Sequence, residues 1–119
     1  MARGDVKFAA DTLSGGVEIL NRKEFEAVPM TLNFGSSTAT IKAGTPIAAN
    51  GTAVSATPWT GAVGILLHDV DPDYPTGAIL KKAYIHVGRA QAHNGLTYDT
   101  ALVTETAKAG CRIVLEETP

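Results

Sequence analysis

The segment His68-Asp-Val-Asp-Pro-Asp73 holds the only cluster of metal-ligand residue types in the chain. Asp69, Asp71 and Asp73 match the first half of a calcium loop, in which alternating oxygens wrap the ion. The second half does not follow. Tyr74 stands where the sharp-turn glycine belongs, and Leu80 where a bidentate Glu is needed. Aspartates and prolines at the end of an apolar run make ordinary turns, so this segment is read as a turn and no metal is expected.

Other chemistry fares no better. His68, His86 and His93 have no spacing that sets them on one helix face for zinc. His86 lies opposite the apolar face of its predicted strand and is expected at solvent or an interface, and His93 in a turn beside Asn94. Neither a G-x-S-x-G elbow nor a G-x-G-x-x-G or Walker motif is present. The single cysteine, Cys111, lies in an apolar terminal run and reads as a buried thiol. Asn50-Gly51-Thr52 fits a glycosylation acceptor, but the N-terminus does not read as a secretory leader, and the tripeptide reads as a tight turn. Trp59 with Tyr74 is the one nucleus for an aromatic carbohydrate platform. No nucleophile, base and oxyanion donor come together, so neither an enzyme nor a cofactor is expected.

Residues 1 to about 26 keep no sustained period and are broken by Gly15-Gly16. They are read either as a flap packed on its own domain or as an arm that orders on a partner. A short helix over Asn21 to Ala27 would need tertiary support. From Val28 the pattern is β-like, with short runs over Val28–Phe34 and Thr38–Lys42. Gly44-Thr45-Pro46 and Asn50-Gly51 mark turns, and Thr52–Thr60 reads as a loop anchored by Trp59. Ala62–Val70 is the most apolar run and the expected central strand, with Gly64 marking a bulge or a close backbone approach. The turn Asp71–Gly77 leads into a strand over Ala78–Val87, with Ile79, Ala83, Ile85 and Val87 expected on one face, so the two runs form a hairpin. Asp99 is placed to cap a short helix over Thr100–Ala109, with Leu102, Thr106 and Ala109 roughly on one face, and Gly110 to end it. Cys111–Leu115 is the last strand. Turn signals at this frequency point to a small barrel or sandwich-like β fold.

The 119 residues fit one domain that can bury a modest core without staples. Charged residues make up 18%, below the roughly 25% of ordinary soluble domains, so part of the surface is expected to meet another protein. The net charge is -2 and the Lys and Arg residues are scattered. Without a basic stripe no nucleic-acid partner is expected. One cysteine excludes an intramolecular disulfide framework, and no apolar run is long enough for a membrane helix. The chain is therefore expected to be made in a cytoplasm.

One segment says more than its composition. Ala62-Val-Gly-Ile-Leu-Leu-His-Asp-Val70 resembles a strand of the head decoration proteins of tailed bacteriophages and of the related capsid-binding head fibre proteins. Gly44-Thr45-Pro46-Ile47 and Ala49-Asn50-Gly51 stand before it, and Lys81–Ala90 and Gly95-Leu96-Thr97-Tyr98-Asp99 after it, in the order those families show. The resemblance covers residues 43 to 115, and residues 1–42 match neither family's N-terminus. It implies a mostly β fold: a small barrel-like or β-tulip-like domain over residues 27–119, with one short helix near the C-terminus and an extended N-terminal arm over residues 1–26. It also implies a structural virion protein that binds the major capsid protein on the capsid exterior and stabilises the head. The assembly implied is a homotrimer, without direct nucleic-acid or membrane contact. Val6, Phe8, Leu13, Val17, Ile19 and Leu20 of the arm are then the expected capsid-binding residues. The alternative is a stand-alone module that binds carbohydrate or a host surface.

Overall fold

The apolar run at residue 62 folds as an inner strand because almost every residue in it is covered. A computed structural model of the chain describes residues 19–117. Its elements are β1 (Glu26–Thr31), β2 (Pro46–Ala48), β3 (Ala62–Leu66), β4 (Thr76–His86), α1 (Val87–Asn94), α2 (Thr100–Lys108) and β5 (Arg112–Glu116). The strands form one sheet in the order β1-β4-β3-β2, antiparallel throughout, and β5 adds to β4 in parallel. The fold is mostly β. β3 and β4 are the expected hairpin, joined through the Asp71–Pro75 turn. Gly64 is the expected close approach: a Cβ there would lie 2.4 Å from Ile79 Cγ2 and 2.7 Å from the Leu80 carbonyl oxygen.

The sheet does not close into a barrel. It curls over a small cluster of Leu32, Ile47, Leu66, Val70 and Ile79, but β1 and β2 share no ladder among the described residues. A single backbone bond joins the chain just beyond each, Asn33 N–H to Gly51 O at 2.9 Å. Two features stop closure. Ile47 of β2 already pairs outward with Ala53. On β1, the bond from Leu32 N–H to Pro75 O sets the alternation, so that residues 27, 29 and 31 point their backbone groups away from β4. Pro29 thus stands on the free edge, where it has no N–H to offer.

The other face of the sheet carries the main core of Ile19, Trp59, Ala62, Ile65, Leu80, Ala83, Ile85, Leu102 and Ile113, with α1 and α2 completing it. Each such large side chain contributes about 1.5–3 kcal/mol by leaving water. The expected single face of β4 is corrected here. Ile79 enters the small cluster, whereas Leu80, Ala83 and Ile85 enter the main core. The register shifts between Glu26 and Ala27, whose partners Lys82 and Leu80 leave Lys81 as an extra residue, so the alternation changes phase. The Lys81 ammonium uses the bulge to donate to Val63 O at 2.6 Å.

Two helices stand where one was expected. The strand ends at His86 because its Nδ1 accepts the Arg89 N–H at 3.1 Å and caps α1, with Gly95 as the left-handed C-cap. Both helices serve the crossover that a parallel β4–β5 pair requires. In α2, Leu102 and Thr106 are buried as expected, but Ala109 is the exposed C-cap. No helix forms over Asn21–Ala27: Asn21 N–H donates to Tyr84 O and Ile19 O accepts from His86 N–H, each at 2.7 Å, and β1 begins at Glu26. This segment extends the β1 lane along β4.

Candidate interaction surface

The residues with chemical potential are held in structural bonds. Asp69 Oδ1 accepts the Ala43 N–H at 2.8 Å and lies 2.7 Å from His93 Nε2, which therefore carries the proton it donates. His93 is in the last turn of α1, not in a turn beyond it, and the pair ties that helix to the end of β3's run. Beside it, Tyr98 Oη donates to Gly44 O at 2.6 Å and accepts from Asn94 Nδ2 at 3.0 Å. Asn94 also donates to Ala43 O at 3.1 Å. Gly44 is needed at this crossing, since a Cβ would lie 2.6 Å from both Asn94 Nδ2 and Tyr98 Oη. Burial pushes the Tyr98 hydroxyl up to about 12, with the Asn94 bond opposing.

Asp71 accepts from the Thr40 hydroxyl at 2.6 Å, and no group of three or more ligand side chains gathers to hold a metal among the described residues. Cys111 is buried, its Sγ 3.0 Å from Val63 O, and burial raises the thiol pKa against the pull of Lys81. Trp59 is only 1% exposed, whereas Tyr74 is 82% exposed, so the two do not form one aromatic platform. Trp59 adopts a left-handed φ of 63° and donates from Nε1 to Asp99 Oδ1 at 2.7 Å. That bond and a second from Thr57 hold the Asp99 carboxyl below its ordinary range. Asp99 is the N-cap residue of α2, yet its carboxylate serves the indole.

Of the residues expected to bind a capsid, Val6, Phe8, Leu13 and Val17 lie outside the described residues. Ile19 is fully buried in the main core, and Leu20 packs against it and bridges to Ile85. These two hold their own domain together, because β4 needs a neighbour on that edge. The expected arm boundary at residue 26 therefore falls inside the β1 lane. Arg22 reinforces the lane, its guanidinium 2.8 Å from Glu116 Oε2 and stacked 4.7 Å over the Tyr84 ring.

What remains open is surface. A shallow groove of about 370 Å³ runs between β1 and the residues after β3, lined by Ala27, Val28, Pro29, His68 and Ala78 among others. The second face of the sheet is covered only at the Ile79 end. At the other end Lys82, Tyr84, Arg112 and Val114 stand in register on neighbouring strands, and among the described residues no strand or helix lies over them, only the Arg22 guanidinium on the Tyr84 ring. Sequence periodicity could mark these as an outward face, but the bulge at Lys81 hides the phase. The His93–Asp69 pair spans 24 residues and has no local signal.

No family model matches the sequence, and no curated protein matches it.

Proposed function

We propose that the chain is a structural virion protein that binds the outer surface of a bacteriophage capsid and reinforces the head. Its partner is the major capsid protein, and it acts by contact rather than by catalysis. The observation that carries this reading is that the residues behind the resemblance meet one another. Gly44 of the Gly-Thr-Pro turn receives the hydroxyl of Tyr98 from the Gly-Leu-Thr-Tyr-Asp turn, and its own N–H donates to Leu66 O of the apolar segment at 2.7 Å. Separate short motifs whose order could arise by chance thus share one physical cause, since each turn fixes another. The low charged fraction agrees with a surface made for protein contact. The homotrimer belongs to the same proposal, as the state on the shell. The carbohydrate-binding alternative loses support because its anchor, Trp59, is a core residue.

The test is deletion of residues 1–18, which spares the buried Ile19. The truncated protein is expected to keep its thermal unfolding transition and to lose binding to expanded shells of the co-encoded capsid protein. Full decoration by the truncated form would overturn the anchoring role of those residues.

A further inference from the structure

The chain contains two Asn-Gly dipeptides, Asn50-Gly51 and Asn94-Gly95, and the fold treats them differently. In such a dipeptide the glycine nitrogen can attack the asparagine side-chain carbon, because no Cβ shields it. The nucleophile is held alike at both places: Gly51 N–H donates to Ala48 O at 2.9 Å, and Gly95 N–H to Gln91 O at 2.8 Å. The electrophile is not. Asn94 is half-buried at the end of α1, and its Nδ2 donates to Ala43 O at 3.1 Å and to Tyr98 Oη at 3.0 Å. Ring closure there would break two bonds that tie the helix to the Gly44 turn. Asn50 is exposed, and its Nδ2 donates to nothing among the described residues. Its Oδ1 accepts both the Thr52 N–H at 3.2 Å and the Thr52 hydroxyl at 2.7 Å. Asn94 Oδ1 accepts the Leu96 N–H at 2.9 Å but no hydroxyl. Two donors on one oxygen stabilise the negative charge that grows there when the carbon is attacked, while the Asn50 amide nitrogen faces water and is free to leave.

We infer that Asn50 is a self-modifying site, at which the folded chain releases ammonia and converts the Asn50-Gly51 link into an isoaspartyl one. The Gly51 nitrogen gives its proton to solvent and bonds to Asn50 Cγ; the Cγ–Nδ2 bond breaks, and ammonia leaves with a proton from water. Water then opens the cyclic imide. Opening at the side-chain carbonyl leaves an aspartate, and opening at the main-chain carbonyl leaves an isoaspartate, whose main chain is one carbon longer. That carbon falls at a tight place. Gly51 is buried so closely that a Cβ would lie 2.7 Å from Thr31 O. Its carbonyl accepts the Asn33 N–H, the bond that joins the chain beyond β1 to the chain beyond β2. The longer link therefore releases that bond and loosens the sheet over the small cluster. The inference involves no capsid and stands without that reading.

Peptide mapping of the folded full chain, aged in mildly alkaline heavy-oxygen water, tests it. Asn50 is expected to lose ammonia and take up one heavy oxygen, giving both aspartate and isoaspartate peptides. Asn94 is expected to convert at least about tenfold more slowly, tenfold being the rate cost of one ordinary hydrogen bond that must break. In denaturant the two sites should convert at similar rates. Thr52→Val, which keeps the N–H and removes the hydroxyl, should slow conversion of Asn50 several-fold in the folded protein. Hydrogen exchange at the Asn33 amide should speed up in the isoaspartyl form and stay slow in freshly prepared Asn50→Asp, which carries the charge without the longer main chain. Folded Asn94 converting as fast as folded Asn50, or Asn50 staying intact in the folded chain while it converts in denaturant, overturns the site. An unchanged rate in Thr52→Val overturns the role of the hydroxyl. An Asn33 amide that stays protected in the isoaspartyl form, or is equally exposed in Asn50→Asp, overturns the loosening of the sheet.

Discussion

The two halves of β4 differ in what covers them. Around residues 79 and 80 the strand is sandwiched, with Ile79 in the small cluster and Leu80 in the main core, and the sequence supplies consecutive apolar residues. From residue 82 to residue 86 only one face is covered, and Ala83 and Ile85 alternate with Lys82, Tyr84 and His86. The bulge at Lys81 separates the two regimes. The comparison separates residues that hold the fold from residues available for contact. Stability resides on the core side, and the outward face of the second half carries little of it.

Substitutions on the two sides should therefore differ in size. Trp59→Ala, which opens a cavity in the main core and removes the indole donor from Asp99, is expected to cost about 3–5 kcal/mol in denaturant unfolding. A loss near zero would mean that the indole does not hold the core. Tyr98→Phe is smaller, about 1–3 kcal/mol, because it leaves Gly44 O without its buried donor. This residue also gives a pH signature. Its folded pKa, pushed up to about 12, lies above the ordinary value of 10, so its contribution is complete below pH 10 and is lost as pH rises towards 12. The loss is on the order of 2–3 kcal/mol for the wild type and absent in Tyr98→Phe. The smallest effect belongs to the outward face. Glu116→Gln weakens the exposed contact with Arg22, and its slight destabilisation should vanish in high salt. Arg22 holds the Glu116 carboxyl below its ordinary range, so this contribution is present above the unfolded pKa and fades as pH falls through the folded value. An outward-face substitution as costly as Trp59→Ala would break the comparison.

Much of the fold was legible in local pattern. The β3–β4 hairpin, the turns at Gly44 and Asn50, α2 and β5 all followed from apolar runs and turn residues. What stayed hidden depended on distant partners. The extra helix α1 starts where a histidine side chain caps it, and at the bulge Lys81 reaches Val63, a residue 18 positions away. Ile19 read as part of an arm because nothing nearby in sequence marks its partner His86, 67 positions on. The site was less legible still. An exposed sheet face has no motif, and only the parallel pairing of β4 with β5 sets Arg112 beside Lys82.

The central claim, that the chain works by decorating a shell, is tested most directly by titrating purified full-length protein onto expanded capsids and counting bound copies. The account predicts saturation at a fixed number of copies per shell, together with a rise in the shell's resistance to heat. Failure to saturate, or shells whose stability is unchanged at full occupancy, would contradict it.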